Sequence, residues 1–265
     1  MPAFPVPTLD SLRGLWTRSL ITWPDGRRDT DTEVRWLQGP SLYIDLRQPA
    51  RRPDFSGVRG FEDLEQSQLE WLVHQEGFAG RLRFDGDFFE WGREIDLQPM
   101  AVYSDAGRLW LEPERMVEEG RDVAYIEHWH CQDGASGARP DGPCFAARLR
   151  RHTDGRTGFL VRVDGYFMFA RERPQRLPSA ISLAECLNLA ITREQRDAWL
   201  DCEISFGLAA GSDFEIQHSS LPWREHTHGE LIFCNDSLTV GESGGAGRSE
   251  WRVIEAEGDA ALLRA

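Results

Sequence analysis

The feature that most restricts this chain is a run of short, evenly spaced β-type segments that recurs once, in the same order, further along the sequence. Residues 15–23 form an alternating stretch ended by the turn Pro24-Asp25-Gly26, and residues 33–37 and 42–47 flank Gly39-Pro40 as a hairpin. Further strands are predicted at 80–84, 88–97, 108–111 and 123–129. A second set is predicted at 145–151, 158–163, 166–171, 202–208, 214–218, 230–233, 237–240 and 250–255. Two segments depart from this pattern. Residues 61–76 place Phe61, Leu64, Leu69, Leu72 and Val73 on roughly one face of a helix. Ser182-Leu183-Ala184-Glu185 reads as a capping box, opening a helical stretch to Leu200 with a break near Thr192.

Each half therefore reads hairpin, helix, then several strands. Val34-Arg35-Trp36 resembles Val161-Arg162-Val163, and Asp45-Leu46-Arg47-Gln48-Pro49 resembles Ala170-Arg171-Glu172-Arg173-Pro174. Asp87-Phe88-Phe89 aligns with Asp213-Phe214-Glu215, Leu97-Gln98-Pro99 with Ser220-Leu221-Pro222, and Glu127-His128-Trp129 with Glu250-Trp251. All offsets lie between 123 and 127. A tandem duplication is expected, with its boundary in 132–143 and units at 1–133 and 144–265. The predicted fold is mainly β: two tandem lipocalin-like (calycin) antiparallel β-barrels with short helices.

The second half, with Trp251, Val253, Ile254 and Glu255 and the Gly165-Tyr166-Phe167 strand, resembles a fungal family of casein-kinase-interacting proteins built from two lipocalin-like barrels. The first half is similar to uncharacterised bacterial proteins with a Tyr-x-Asp-Leu-Arg-x-Pro strand, here Tyr43 to Pro49. They also carry a Trp-x-Arg-x-Ile-Asp-x-Gln-Pro strand, here Trp91 to Pro99. The resemblance implies the two-barrel fold and no particular activity. Tandem-calycin architecture also includes a carotenoid hydratase and cyclisation enzymes, an analogy of fold alone.

All 30 basic residues are arginine. The absence of lysine excludes pyridoxal-phosphate and imine-forming aldolase chemistry and argues against P-loop and kinase machinery. It also points to a GC-rich bacterial genome. A net charge of −14 argues against nucleic-acid and anionic-membrane partners. No signal peptide or membrane-spanning run is read from the sequence. The five cysteines, Cys131, Cys144, Cys186, Cys202 and Cys234, form no Cys-x-x-Cys and suggest reduced thiols in a cytoplasmic protein.

Barrel strands turn alternate residues inward. Tyr43, Asp45 and Arg47 share a face, as do Glu127 and Trp129. On residues 91–98, alternation places Trp91, Arg93, Ile95 and Leu97 opposite Glu94, Asp96 and Gln98. Arg93, Arg47, Asp45 and Glu127 are expected either to hold a carboxylate or polarise a carbonyl, with Tyr43, Trp36, Trp91 and Trp129 around the ligand, or to form a structural ionic network. Glu127, His128, Asp96 and Glu94 are the candidate acid/base groups. His128-Trp129-His130 and His226-Thr227-His228 each offer two imidazoles on one face, half of a metal site, so no metal is expected. Cys131 beside His130 makes a weak nucleophile pair, because neighbours on a strand point apart. Gly241-Glu242-Ser243-Gly244-Gly245 matches Gly-x-Ser-x-Gly. It lacks the following helix of a hydrolase elbow, so Ser243 reads as a hairpin residue. Trp16, after Gly14, is expected to plug a barrel end.

Two functions stay open. One is binding of a small, largely apolar ligand bearing a carboxylate or carbonyl group, with Arg93 or Arg47 as anion partner. The other is a cofactor-independent, non-redox enzyme (hydratase, isomerase, lyase or cyclase) using a carboxylate or His128 to move the proton. A scaffold with solidly packed barrels is the third reading. No cofactor is expected, and the oligomeric state is not fixed by the sequence.

Overall fold

A computed structural model describes residues 4–132, 143–234, 236–242 and 247–263. The predicted linker 132–143 lies outside the described residues except at its two ends. The first half contains β1 (Gly14–Thr22), β2 (Arg28–Asp29), β3 (Glu33–Gln38), β4 (Leu42–Gln48), α1 (Gln66–Val73), β5 (Glu76–Phe84), β6 (Phe89–Asp96), β7 (Ala106–Glu112), β8 (Arg115–Gly120) and β9 (Ile126–Cys131). The second contains β10 (Cys144–Arg151), β11 (Thr157–Val163), β12 (Tyr166–Arg171), α2 (Leu183–Asn188), α3 (Arg193–Leu200), β13 (Glu203–Ala210), β14 (Asp213–Ser219), β15 (His228–Cys234), β16 (Ser237–Glu242) and β17 (Arg248–Gly258). Every pairing is antiparallel, and pairing of β1 with β9 closes the first sheet, to which β2 is a short addition. Strands β10 to β17 close the second. The chain is thus two closed eight-stranded barrels, mainly β, with few short helices.

The predicted elements need three corrections. Strand β8 was not expected, since its sequence carries only two apolar residues among glutamates. The first helix stops at Val73 rather than Glu76, because Glu76 already pairs with Arg47 in the sheet. It is opened by a capping box in which Glu65 and Gln68 satisfy each other's backbone N–H groups. The pairing registers keep Leu97 equivalent to Ser220 as expected but slip others of the internal equivalences by one to three residues. Asp45 lies opposite Trp36, and Phe169 opposite Leu160, so Asp45 corresponds to Phe169 rather than to Ala170. The Ser182 cap and the break at Thr192 both fall where expected, each hydroxyl accepting a bond from a backbone N–H three residues on.

Both barrels carry a β-bulge at the same place. In β6 the extra residue is Glu94, and in β14 it is Gln217. Each faces a glycine on the neighbouring strand. A Cβ on Gly80 would sit 1.9 Å from the Gly92 carbonyl oxygen, and one on Gly207 would sit 1.9 Å from that of Glu215. No other residue fits so close an approach.

Inside the first barrel, Trp16, Trp36, Trp91 and Trp129 pack together, with Trp36 edge-on to Trp91 and Trp129 at 5.7 and 5.4 Å. Trp16 stacks on Trp36 and donates its indole N–H to the Leu12 carbonyl, closing that end as expected of a plug. A third core joins the barrels. The outward side chains Leu42, Ile44 and Leu46 of β4 pack with Ala146, Val161, Met168 and Ile204 of the second barrel, all of them wholly buried. Arg81 reaches across to Glu255 and Glu257, and Arg35 to the ring of His218. Strands at this contact are buried on both faces, so β4 is apolar on one side and carries Tyr43, Asp45 and Arg47 on the other.

Ile44→Ala should therefore cost about 2–5 kcal/mol of stability, read as a shift in the urea midpoint, with a single transition for both barrels. A loss below about 1 kcal/mol would mean that the contact is not a packed core.

Candidate functional site in the first barrel

Strands β6 and β7 pair only through Phe89–Gly107 and Glu90–Ala106, with one further bond from the Trp91 N–H to the Asp105 carbonyl. Beyond this the two strands part. The seam opens into a groove of about 950 Å³, walled by residues 90–106, by 122–125 and by residues 172–177 of the second barrel. On its rim Met100, Val102 and Tyr103 stand 91%, 93% and 61% exposed. Large apolar side chains this open to water mark a surface built to be covered. Trp91 and Tyr125 are among the lining residues.

The floor is ionic. The β-bulge at Glu94 breaks strict alternation, so Arg93 and Asp96 come to the same face, while Ile95 and Leu97 join the core between the barrels. This corrects the expected grouping of Arg93 with Ile95 and Leu97. Arg93 binds Asp96 at 2.9 Å and Asp105 at 2.5 Å, with its guanidinium 3.5 Å from the centre of the Phe78 ring. It thereby bridges the open seam. Behind it lie Arg47, which binds Asp45 at 2.9 Å, and Arg18, which binds Glu127 at 2.6 Å and Asp29 at 3.2 Å. Arg47 approaches the same Glu127 oxygen at 3.8 Å. Burial alone would lower the Arg47 pKa, but Asp45 and Glu127 outweigh it and hold the group well above its ordinary value. Burial raises Asp45 and Asp96 despite their arginine partners.

Glu127 faces Glu118 directly across the β8–β9 ladder, and both are almost completely buried. Their surroundings differ. Glu127 has two guanidinium neighbours. Glu118 forms no ion pair among those found in the described residues: it accepts from the Tyr125 hydroxyl at 2.7 Å and from the Trp129 indole N–H at 3.0 Å. Burial, and then the Glu127 charge, push Glu118 far above the usual carboxylate range. Burial also raises Glu127, with Arg47 and Arg18 opposing. Such a divided pair titrates as a unit, and the neutral form is favoured more strongly at Glu118, the member without a cation. Burial and then Glu118 raise the Tyr125 phenol as well.

Of the expected site residues, Arg47, Asp45 and Glu127 do meet, while Arg93 pairs instead with Asp96 at the groove. Glu94 is turned outward and bound to Arg148 of the second barrel at 2.7 Å. His128 lies on the opposite face of β9 from Glu127, near Arg115, and so stands apart from the acid cluster. Burial and then Arg115 lower its pKa. Tyr43, Trp36 and Trp129 are enclosed in the barrel core, and of the expected aromatic set Trp91 lines the groove. Among the described residues no three His, Cys, Asp or Glu side chains converge as a metal site, and none of the five cysteines is in a disulfide. Ser243 lies outside the described residues. Glu118, Tyr125, Arg18 and Asp105 were missed. The alternation of Met116 and Glu118 was the one available signal.

The second barrel repeats this geometry with other residues. Leu238 and Trp251 occupy the Glu118–Glu127 pairing, Phe169 the place of Asp45, and Ile216 the place of Arg93, while Arg171 takes the place of Arg47 and pairs with Glu203. No protein-family model matches the chain, and no curated protein matches it. Among solved structures, the crystal structure of an uncharacterized protein from Saccharomyces cerevisiae, YLR301w, is similar. Its TM-score is 0.53, with 13% identity over 92% of this chain and 98% of that one. At that identity the likeness is one of fold.

The raised Glu118 sets the pH dependence. Between the ordinary carboxylate range and its raised value, the folded state keeps a proton that the unfolded chain has released. The Glu118 contribution is thus complete below that window and lost as pH rises through it. Glu118→Gln should flatten this fall in a series of urea midpoints, and an unchanged slope would refute the assignment. Glu127→Gln should instead cost about 3 kcal/mol at neutral pH, because Arg18 and Arg47 lose a buried carboxylate they share.

Proposed function

We propose that the groove at the β6–β7 seam binds a small, largely apolar ligand that carries a carbonyl or carboxylate group. The observation that supports this most is the coincidence of an open seam, exposed apolar side chains on its rim and polar groups on its floor. Ligand sites commonly combine apolar walls with a few fixed polar groups. The second barrel bears on the inference: the same registers there carry Phe169, Ile216 and Leu238 in apolar packing, so the places of Asp45, Arg93 and Glu118 need not be polar for such a barrel to close, although that barrel has an ionic cluster of its own in Arg171, Glu203, Arg224 and Glu242. On this basis the first barrel is of a lipocalin-like, ligand-holding kind, while the resemblance to the fungal casein-kinase-interacting family bears on the fold alone. Cysteines without disulfides support a reducing, cytoplasmic setting, and the charge of −14 supports a partner other than nucleic acid. No helix among the described residues is long and apolar enough to cross a membrane.

A second function is favoured by one particular observation, the buried Glu118–Glu127 pair. Two carboxylates with divided environments suit general acid/base work in a cofactor-independent hydratase, isomerase, lyase or cyclase.

Titration with the neutral fluorophore N-phenylnaphthylamine tests the binding site. Binding should quench tryptophan emission, and Trp91→Phe should remove much of the quenching. The double variant Met100→Ser, Val102→Ser should weaken binding by about tenfold or more, as expected for loss of two apolar contacts. Equal affinity in the variant would exclude the groove.

A further inference from the structure

We propose that the floor of this groove is a subsite for a neutral carbonyl oxygen, where Glu118 donates to the Tyr125 hydroxyl and Tyr125 donates to the ligand. This rests on the groove as the binding site and selects the carbonyl over the carboxylate.

The hydrogen-bond geometry supplies the direction. One Glu118 oxygen faces the Trp129 indole N–H, which can only donate, so that oxygen must accept. A proton on the carboxyl group therefore sits on the other oxygen, 2.7 Å from Tyr125. The same heavy-atom distance then describes a bond running from Glu118 to Tyr125, since hydrogens are assigned by the network around them. The phenol hydrogen is released for a third partner, and Tyr125 forms part of the groove wall. Glu118 holds the proton because its neighbours offer no compensating contact. Glu127 opposes it across the ladder, Asp105 adds a second negative charge from the start of β7, and Arg47 on β4 bonds to Asp45 instead.

The charges nearest Tyr125 decide between ligand heads; Arg173 and Arg176 also line the groove, from the second barrel, but the charges that act most on Tyr125 are those of Glu118, Asp105 and Glu127. Arg93 is held between Asp96 and Asp105, Arg47 between Asp45 and Glu127, and Arg18 between Asp29 and Glu127. A carboxylate arriving at Tyr125 would approach Asp105 and Glu118 with each of these guanidinium groups already shared by two acids. A neutral carbonyl meets a donor and adds no charge. Tyr125 is then the binding residue, and Glu118 is a positioning residue that acts through it. In the second barrel the wholly buried Leu238 stands where Glu118 does, so a barrel of this shape closes without the carboxyl group.

The test uses the neutral ketone propionyl-dimethylaminonaphthalene, whose emission moves to the red when its carbonyl accepts a hydrogen bond. Naphthoate serves as the anionic comparator against acetylnaphthalene. Wild type should bind the ketone with red-shifted emission and should bind naphthoate at least about tenfold more weakly than acetylnaphthalene. Tyr125→Phe should lose the red shift and about three- to tenfold in affinity, the worth of one hydrogen bond. Glu118→Gln should behave as wild type, because its amide accepts from Trp129 and donates to Tyr125, whereas Glu118→Ala should resemble Tyr125→Phe. An unshifted spectrum in Tyr125→Phe relative to wild type, or naphthoate binding as tightly as the ketone, would overturn the subsite while leaving the groove intact. Failure of wild type to bind any of the three probes would overturn the groove itself, and the subsite with it. Circular dichroism confirms that each variant is folded.

Discussion

The interior of the first barrel is organised by where its three guanidinium groups find carboxylates. A closed barrel turns every second residue away from water, and a charge placed there needs a partner or a proton. Arg18, Arg47 and Arg93 take Asp29, Asp45, Asp96, Asp105 and Glu127 between them, with Glu127 shared. Glu118 is the acid left over. Its two hydrogen-bond partners, Tyr125 and Trp129, are neutral, and a hydroxyl can accept where an indole N–H can only donate, so it is satisfied as a carboxylic acid rather than as an anion. The division between paired ions and one neutral acid determines the chemical character of the groove.

Position follows from backbone geometry more than from charge. The bulge at Glu94, possible because Gly80 lacks a Cβ, rotates the end of β6 so that Arg93 and Asp96 point the same way. Early separation of β6 from β7 opens the wall beside them, and Arg93 spans the gap to Asp105. The second barrel has an equivalent bulge at Gln217 facing Gly207, but carries Ile216 and Ser219 where the first has Arg93 and Asp96. The scaffold is common to both halves, while the ionic groups differ: the second barrel joins Arg171, Glu203, Arg224 and Glu242 instead.

Much of the scaffold was legible in the sequence. Alternation along Tyr43, Asp45 and Arg47 and along Glu127 and Trp129 reported the inward faces correctly, since those strands run without a bulge there. Turn residues marked most strand ends. Alternation failed at Glu94, where one extra residue inverts the phase, and the strand glycines Gly80 and Gly92 were the local sign of it. Strand β8 was hidden because an inward glutamate has the pattern of a solvent-facing one; only the register against β9 reveals that Glu118 looks at Glu127. The groove was equally hidden, since a missing run of hydrogen bonds between two strands leaves no trace in composition.

The core between the barrels carries a consequence for each half taken singly. Ile44, Leu46 and Ala79 occupy in the first barrel the places that Met168, Ala170 and Phe206 occupy in the second, and these are the faces that meet. Like surface therefore meets like surface about an approximate two-fold axis, the arrangement by which two identical subunits make an isologous dimer. A single barrel severed from its neighbour would expose this apolar face and bury it most readily against another copy of itself. The covalent chain thus holds two barrels in the manner of a dimer, each free to carry its own set of buried charges on the same strands.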